Sequence, residues 1–315
     1  MPFLYKIKNN KAKIFKAFRD PLFGLGLFLN QIAPLIKNDK TFLKWKYYTV
    51  FHKKLNLDNP QTYNEKLQWL KLYDRRPEYT KMVDKAEAKK YVANIIGEGY
   101  IIPTLGVYNS FDDINFDNLP NQFVIKCTHD SGGVVVCKDK STLDIKAARK
   151  KIEYGLSKTN FWGTREWPYK NVEPRIIIEQ YLEDESGYEL KDYKVHCFNG
   201  EPKFILVASG RYQNDIRFNF YDLNWNLMPF EKSHKRIDSN ITIAKPDNLD
   251  EMLDLAKALS VNIPHLRVDF YNVKNKIYFG ELTFFPASGL GKFNPKEWDY
   301  KIGEWLSLNL NKEAH

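Results

Sequence analysis

Two acidic residues near the C-terminal end of the sequence, Asp269 and Glu281, lie on the two arms of an apparent β-hairpin, RVDFYNVKNKIYFGELTFFPASG. Both arms are rich in Val, Phe, Tyr and Ile, and the polar run Asn-Val-Lys-Asn-Lys between them supplies a turn. If Asp269 pairs with Glu281, the turn is centred on Asn275. Because side chains alternate across a sheet, this register places Arg267, Asp269, Glu281 and Thr283 on one face, in two facing pairs.

Facing residues in a sheet hold their β-carbons about 5 Å apart, so two carboxylates at these positions repel each other unless a cation lies between them. Carboxylate oxygens are ligands that Mg²⁺ prefers, and two carboxylates can share one divalent cation. The hairpin therefore predicts a magnesium site at Asp269 and Glu281. The alternative is that both acids lie on a solvated sheet face with Lys274 and Lys276 nearby.

The run FVIKCTHDSGGVVVCKD indicates two strands joined by a polar turn, with Lys126 at the end of the first strand. Ser131, Gly132 and Gly133 let backbone N–H groups approach an anion closely, and Lys126 supplies a positive charge beside it. The pattern predicts a hairpin that covers phosphate, although a turn that only reverses two strands is common. It is not a Walker loop, because GxxxxGK[ST] occurs nowhere in the sequence. His129 in this turn is a further functional candidate, with a structural role as the alternative.

Two more strands carry polar side chains. RIIIEQYLED becomes polar at Glu179, which is expected where a strand leads into a linker between two lobes and offers backbone groups to a purine. An ordinary buried strand is the alternative. In DYKVHCFNGEPKFI, alternation places Asp192, Lys194 and His196 on one face, a combination that suits a phosphate or carboxylate site, with a solvated face as the alternative. No GxSxG elbow and no HExxH spacing occur, which disfavours a serine nucleophile and zinc.

The spacing of apolar residues predicts helices in the N-terminal third of the chain and short strands after it. TYNEKLQWLKLYD offers Thr62 as an N-cap with Glu65 three positions later. KMVDKAEAKKYVANIIGEG predicts a second helix that ends at Gly97 and Gly99. Because the later strands include several apparent hairpins, and no repeat is present, the pattern favours α+β lobes over a doubly wound parallel sheet.

Positive charge is concentrated at the N-terminal end. The chain of 315 residues has a formal net charge of +9, and residues 1–55 hold 12 Lys and Arg against two Asp. Aromatic residues are interleaved with these cations, a mixture suited to an anionic membrane surface or an acidic polymer. A basic helical face packed on the main body is the alternative. No nucleic-acid-binding module is recognisable, so no nucleic-acid partner is expected.

The remaining sequence features concern the cellular compartment. Three cysteines without CxxC spacing indicate no disulfide framework, which fits a reducing compartment. The apolar run PLFGLGLFLNQIAPLI is interrupted by polar residues, lacks a clear cleavage site and is too short to span a bilayer. We therefore expect a cytoplasmic protein, and the basic segment leaves peripheral contact with the inner membrane face open.

The order of these motifs is more informative than any one of them. A DK pair at the head of a helix, a strand lysine before a glycine-containing turn, a hinge glutamate, and then RxDF and GExT strands resemble an ATP-grasp enzyme. More closely, TYNEKLQWLKLY, DKAEAKKYV, LPNQFVIKCTHDSGG, PRIIIEQYL, LKDYKVHCFNGEPK and the hairpin resemble the TupA-like branch, named for teichuronopeptide biosynthesis. The resemblance runs from about residue 58 to about residue 308.

The resemblance implies a role for each matching residue. The nucleotide phosphates would be contacted or covered by Lys85, Lys126, His129, Ser131, Gly132 and Gly133. The adenine hinge would be Glu179, Gln180, Tyr181 and Leu182, and the ribose would be contacted by Glu185 or Glu189. Mg²⁺ would be bound by Asp269 and Glu281 beside Thr283, which stands where many ATP-grasp enzymes carry Asn. The catalytic candidates are Arg267, which would steady the transferring phosphoryl group, Lys194 and His129.

The fold that the resemblance implies is α+β, with two ATP-grasp lobes that clasp ATP after a mostly helical N-terminal region. The expected parts are a basic aromatic helical segment (1–57), a helical region (58–103), a nucleotide-binding lobe (104–182) and a lobe with the metal site (183–315). The implied activity is ATP- and Mg²⁺-dependent carboxylate–amine ligation through an acyl phosphate. Since that intermediate hydrolyses in water, the segment TNFWGTREWPYKN is expected to act as a lid.

The family association further implies surface-polysaccharide assembly, in which an amino acid or other amine is joined to a carboxylated sugar or polysaccharide precursor. One alternative is a glycosyltransferase of surface-polysaccharide assembly. Such enzymes usually hold their metal with a DxD-like pair, whereas the two acids here lie on separate strands. A second alternative is a non-catalytic module that binds glycans or membranes.

Overall fold

A computed structural model describes residues 19–130, 132–184, 190–210, 216–234 and 243–310. Helices form the N-terminal part of this structure, and Thr62 and Glu65 make the predicted capping box. The predicted second helix is broken, because the Asp84 carboxylate accepts the N–H groups of Ala86 and Glu87 and starts a new helix there. The helices before the first strand are α1 (Pro21–Ile32), α2 (Asp39–Phe51), α3 (Tyr63–Tyr73), α4 (Glu78–Val83) and α5 (Glu87–Ile96).

A four-stranded antiparallel sheet follows these helices along the chain. Its strands are β1 (Thr104–Tyr108), β2 (Phe123–Cys127), β3 (Val134–Cys137) and β4 (Ile176–Gln180). They lie in the order β1-β4-β2-β3. Helix α6 (Ile145–Leu156) packs on this sheet, and α7 (Phe161–Thr164) lies in the connection to β4. The strands predicted from FVIKCTHDSGGVVVCKD and RIIIEQYLED are confirmed.

A five-stranded antiparallel sheet has the order β10-β9-β5-β6-β7. Its strands are β5 (Asp192–Phe198), β6 (Glu201–Ser209), β7 (Arg217–Tyr221), β9 (His265–Val273) and β10 (Lys276–Thr283). A small sheet that was not predicted pairs β8 (Glu231–Lys232) with β11 (Phe293–Asn294). Helices α8 (Leu249–Leu259) and α9 (Glu297–Glu304) complete this part.

The hairpin of β9 and β10 has the predicted register, with Asp269 opposite Glu281. The turn was predicted to be centred on Asn275. It consists of Lys274 and Asn275, so its centre lies between these two residues, whose φ angles are 53° and 61°. Two positive φ angles are typical of the tight turn that matches strand twist. One extra residue, Gly280, forms a bulge that restores the pairing of the two acids.

The N-terminal helices belong to the same hydrophobic core as the five-stranded sheet. Ala33, which directly follows α1, and Phe42 and Tyr47 of α2 are among its buried side chains. For residues 19–55 the structure packs an apolar helical side on the main body and leaves Lys40, Lys44, Lys53 and Lys54 exposed. The α+β class and the helical N-terminal region are confirmed, whereas the division into four parts stays a prediction. Among the residues described, no helix combines the length and apolar character needed to cross a membrane.

Replacing Gly280 with alanine should destabilise the hairpin and displace Glu281. A β-carbon at Gly280 would lie 3.1 Å from the carbonyl oxygen of Asp269 and 3.2 Å from the ring of Tyr271. We expect G280A to lower the free energy of unfolding by about 1–3 kcal/mol, measured by urea denaturation. At Gly99 no atom lies within 4 Å of the corresponding point, so G99A is the control and should change stability by at most about 0.5 kcal/mol. Equal stability of the two variants would contradict a close approach at the bulge.

Candidate active site

An ion-pair network lies on one face of the five-stranded sheet. Glu281, Asp269 and Lys194 form one row across β10, β9 and β5. Arg267 Nε donates to Asp269 Oδ1 at 2.6 Å, and its Nη2 donates to Asp269 Oδ2 at 2.7 Å and to Glu281 Oε1 at 2.9 Å. Lys194 Nζ donates to Asp269 Oδ2 and forms an ion pair with Asp192 at 3.1 Å. The structure therefore brings together Arg267, Lys194 and the two predicted metal ligands.

Burial excludes a solvated face for this network. Asp269 is 1% exposed, and β5 is buried along its whole length. The cations that pair with the two acids are Arg267 and Lys194 rather than Lys274 and Lys276. The side chain of Glu281 is 42% exposed to solvent, so the network is open to solvent at this residue.

Strand β5 presents Asp192, Lys194 and His196 to this face, as alternation predicted. His196 lies opposite Arg267, and its ring stacks on Phe204 with 4.2 Å between the ring centroids. Burial and the nearby cations lower the pKa of His196 well below its usual value. His196 is therefore neutral, and the positive charge of this face comes from Lys194 and Arg267.

The network holds the two carboxyl groups differently. Burial raises the pKa of Asp269, and Arg267 and Lys194 oppose that effect. Burial also acts to raise the pKa of Glu281, but Arg267, Lys194 and Lys85 outweigh it and lower the value to about 2. Glu281 is therefore an ionised carboxylate at neutral pH.

The geometry fits one magnesium ion held together with a nucleotide. One nitrogen of Arg267 lies 2.7 Å from an oxygen of Asp269 and 2.9 Å from an oxygen of Glu281, so both carboxylates face a common point that carries positive charge. Thr283 Oγ1 lies 3.4 Å from Glu281 Oε1 and adds a third oxygen nearby. In the described part of the chain, no group of three or more His, Cys, Asp and Glu is placed to hold a metal. Two carboxylates without a full protein cage are typical of Mg²⁺ sites that phosphates complete.

A second charged group lies on the four-stranded sheet. The Glu179 carboxylate forms ion pairs with Lys126 and with Lys89, the latter at 2.5 Å. Lys89 Nζ also donates to the carbonyl oxygen of Ile102 at 2.6 Å and to Thr104 Oγ1 at 3.1 Å. The side chains of Lys126 and Glu179, which were predicted to have separate roles, are thus brought into direct contact. Lys89 was not predicted, although it lies one helical turn after Lys85 in the sequence.

Lys85 lies between the two charged groups, in the turn from α4 to α5. Its N–H donates to the carbonyl oxygen of Thr128 at 3.0 Å, and its Nζ donates to the carbonyl oxygen of Asp130 at 2.7 Å. Lys85, Glu281 and Tyr169 line one small cavity. Burial lowers the pKa of Lys85, and Glu281 is the strongest charge that opposes this effect. The cavity therefore lies between the predicted phosphate-binding and metal-binding residues.

In the turn after β2, groups that could contact an anion are bonded to other protein groups instead. The N–H of Gly133 donates to Asp130 Oδ2 at 2.8 Å. Close packing also accounts for Gly133, since a β-carbon there would lie 3.1 Å from the β-carbon of Cys127. His129 Nε2 lies 3.0 Å from the carbonyl oxygen of Lys158, and His129 is 4% exposed. These contacts favour the structural role for His129.

Gly132 lies between these contacts, and its carbonyl oxygen accepts the N–H of Val134 at 3.0 Å. Two predicted cofactor-binding residues, Ser131 and Glu189, lie outside the described residues, as does the alternative ribose contact, Glu185.

The predicted adenine hinge begins at the end of β4. The N–H of Gln180 donates to the carbonyl oxygen of Pro103 at 3.0 Å, and the Tyr181 hydroxyl donates to Glu183 at 2.7 Å. Gln180 and Tyr181 line an open cleft at this edge of the sheet, and Leu182 follows them. The roles of Glu179 to Leu182 stay predictions.

The segment 159–171, predicted as a lid, is anchored to the N-terminal helices. Arg165 is fully buried and donates to the carbonyl oxygens of Ala33 at 2.8 Å and Ile36 at 2.6 Å. It also forms an ion pair with Asp39 at 2.8 Å. This anchoring differs from a lid attached only at its ends. No short sequence motif marks Arg165, because its contacts with Ala33, Ile36 and Asp39 come from residues more than a hundred positions away.

The pH dependence of stability should report the Glu179 ion pairs. Burial raises the pKa of Glu179, but Lys126 and Lys89 outweigh it and lower the value to about 2. An unfolded chain takes up this proton near pH 4.3, so the ion pairs stabilise the fold fully above about pH 5 and lose effect as the pH falls towards 2. We expect the stability advantage of the wild type over E179Q to fall by about 1–2 kcal/mol between about pH 6 and pH 3, by urea denaturation.

The exposed carboxylate of Glu153 provides the matched control, since its side chain is 52% exposed and pairs only with Arg149. The difference between wild type and E153Q should change much less over the same pH range. An E179Q variant with the same pH dependence as the wild type would show that Glu179 is not held ionised by its two lysines.

Comparison with known proteins shows distant structural similarity. No protein with a curated description matches the chain. It is similar to the D-alanine–D-alanine ligase from Bacillus anthracis complexed with ATP, with 17% identity, 65% of this chain and 54% of that chain covered, and a TM-score of 0.38. It is also similar to the D-alanine–D-alanine ligase from Helicobacter pylori, with 18% identity, 72% of this chain and 61% of that chain covered, and a TM-score of 0.39. The chain thus spans less than two thirds of the length of these structures.

The family comparison covers more of the chain. The family model described as TupA-like ATPgrasp matches residues 65–307, a span that includes both sheets, the Lys85 turn and the hairpin with its two acids. This agrees with the resemblance that the order of motifs indicated. Because the match covers most of the chain, this protein belongs to the TupA-like ATP-grasp family.

Proposed function

We propose that this protein is an ATP- and Mg²⁺-dependent ligase that joins a carboxylate to an amine through an acyl phosphate. ATP-grasp enzymes are ATP-dependent ligases that form C–N bonds and use ATP with Mg²⁺. The observation that carries the proposal is the geometry of Arg267, whose single nitrogen Nη2 bonds both Asp269 and Glu281. Two acids, of which Asp269 is buried, and a guanidinium at one point suit a phosphoryl group bound with a metal.

The reaction has two steps. An oxygen of the substrate carboxylate attacks the γ-phosphorus of ATP in line, which breaks the bond to ADP and gives an acyl phosphate. The nitrogen of the amine then attacks the acyl carbon, inorganic phosphate leaves, and the amine loses a proton as the amide forms. Bound Mg²⁺ supplies charge neutralisation at the terminal phosphates. Arg267 and Lys194 hold and neutralise the oxygens around the reacting phosphorus, and Asp269 and Glu281 orient these cations.

In this proposal the nucleotide contacts Lys85 and Lys126 with its phosphates and the hinge with its adenine. Lys85 Nζ is held by the Asp130 carbonyl oxygen and lines the same cavity as Glu281, which supports a contact with the terminal phosphates. We assign Lys126 to the phosphates as well, although it pairs with Glu179 in this structure. The adenine would lie by the cleft that Gln180 and Tyr181 line.

For the substrates, we propose a carboxylated sugar or polysaccharide precursor and an amino acid or other amine, in capsular or cell-surface polysaccharide biosynthesis. This proposal rests on the association of the TupA-like family with teichuronopeptide biosynthesis. His129 remains proposed only as a residue that shapes the turn, and Lys194 and Arg267 as the residues that act on the phosphoryl group.

Replacing Glu281 with glutamine should abolish turnover and leave the fold intact. Glutamine keeps the shape of the side chain but loses the charge that holds the metal, so we expect ADP release to fall about 100-fold or more. The assay screens uronic acids with amino acids for ADP release and identifies products by mass spectrometry. Near-normal ADP release by E281Q would exclude the metal assignment.

Glu201 provides the control for this variant, because its exposed carboxylate pairs with Lys257 away from the network. E201Q should retain full activity. In the same screen, release of UDP from a sugar nucleotide would favour the glycosyltransferase, and binding of a glycan without turnover would favour the non-catalytic module.

We also propose that the outer surface of α1 and α2, the α1–α2 face, contacts an anionic membrane surface. Its large exposed apolar side chains are Leu25, Phe28, Leu35, Trp45 and Tyr48. Lys44 and Lys54 line a groove together with some of these side chains. Both acids of the segment are engaged, because Asp20 caps α1 and Asp39 pairs with arginines of the main body. The face is therefore apolar and cationic, which suits anionic lipid.

Point variants test this contact better than a deletion, since removing residues 1–55 would uncover the core. We expect the double variant F28S/W45S to bind phosphatidylglycerol vesicles about tenfold more weakly than the wild type in sedimentation, because it loses apolar area. The control V261S/Y300S removes two side chains that are 58% and 50% exposed elsewhere on the surface, and should bind like the wild type. Unchanged binding by F28S/W45S would exclude the α1–α2 face.

A further inference from the structure

The small cavity between the Lys85 turn and the Arg267 network has one wall that sequence motifs did not indicate. Lys85 and Glu281 form two of its sides, and apolar side chains of α4, α5 and β10 form most of the rest. Tyr169 closes it from a third direction. A phenol group thus lines the same cavity as Lys85, which we assign to the nucleotide phosphates, and Glu281, which we assign to the metal.

Tyr169 is held there by a rigid connection. It ends a short helical turn, Trp167–Tyr169, that directly follows Arg165 and Glu166. The buried Arg165 fixes one end of this segment to α1 and α2, as described above. Glu166 is also buried, and its charge interacts with that of Lys71, which donates to the carbonyl oxygen of Thr164 at 2.8 Å. Because both neighbours are fixed in the core, the ring of Tyr169 is positioned before any ligand binds.

The Tyr169 side chain makes no hydrogen bond to another residue within the described ranges. The charged groups that act most strongly on Tyr169 are Glu166, Glu281 and Arg267. A phenol is protonated at neutral pH, so its hydroxyl is available as an uncharged donor. Donors that are fixed in a water-poor site contribute strongly when they point to an oxygen that gains charge during the reaction.

We propose that the Tyr169 hydroxyl donates a hydrogen bond to an oxygen of the phosphoryl group as it passes from ATP to the substrate carboxylate. The proposal rests on the ligase function proposed above and adds a catalytic residue to it. The phosphorus–oxygen bond to ADP breaks, the bond to the carboxylate oxygen forms, and the tyrosine proton stays on its own oxygen throughout. Tyr169 therefore complements Lys85 and Arg267 without adding charge.

The test compares Y169F with the wild type in binding two complexes by calorimetry. One is Mg²⁺ with ADP, and the other is Mg²⁺ with ADP and aluminium fluoride, which imitates the transferring phosphoryl group. Phenylalanine keeps the ring and its packing, so Mg²⁺–ADP should bind within about twofold of the wild type. The aluminium fluoride complex should bind at least about tenfold more weakly, because only it offers the oxygen-like acceptor. The exposed Tyr300 gives the control variant Y300F, which should match the wild type for both.

The outcomes separate the two proposals. If Y169F binds both complexes like the wild type, or weakens both equally, the role of Tyr169 is overturned while the ligase proposal stands. If the wild type binds neither complex, the ligase proposal fails and the role of Tyr169 fails with it. The same unfolding temperature for Y169F and wild type would show that lost affinity does not come from a lost fold.

Discussion

The structure depends on placing two carboxylates opposite each other on neighbouring strands, with Asp269 buried and Glu281 at the open side of the network. Like charges at this spacing repel, and burial strengthens the repulsion because the local dielectric is low. Arg267 resolves the conflict by bonding both acids with one nitrogen, and Lys194 adds a second cation from β5. The row of charges is therefore stable only when β10, β9 and β5 are in this register. A one-residue slip would leave buried charges without partners, which is far more costly than the loss of one surface ion pair.

The N-terminal helices contribute to the same constraint, although they lie outside the sheets. Lys71 of α3 is fully buried and donates to the Ser288 carbonyl oxygen and to the Thr164 carbonyl oxygen, both at 2.8 Å. It thereby ties the segment after β10 to the segment that carries Arg165. The helices are thus part of the architecture of the candidate site, and their outer surface remains free for a second task. Different helices account for the two features, because Lys71 lies on α3 and the exposed apolar side chains lie on α1 and α2.

Features set by near neighbours in the chain were predictable from the sequence, and features set by distant contacts were not. The capping box of Thr62 and the alternation in the hairpin depend on residues a few positions apart, so local rules were sufficient. The bulge at Gly280 was missed because a pairing rule counts residues and does not reveal which strand carries an extra one. The apolar spacing predicted one helix through Asp84 because the surrounding residues favour a helix, whereas the order of motifs placed Asp84 and Lys85 at the head of a helix, as in the structure. Arg165 and Tyr169 gain their roles from contacts between distant segments, which no local pattern encodes.

The ion pair of Lys126 with Glu179 competes with the proposed contact of Lys126 with a phosphate. Moving Lys126 away would leave a buried carboxylate unpaired, at a cost of several kcal/mol by order of magnitude. Lys89 removes most of that cost, because it lies 2.5 Å from the other oxygen of Glu179 and is itself held by two acceptors near β1. Lys126 can therefore exchange Glu179 for a phosphate oxygen while the carboxylate stays neutralised. Lys89, which was not predicted, thus leaves Lys126 available for the proposed contact with a phosphate.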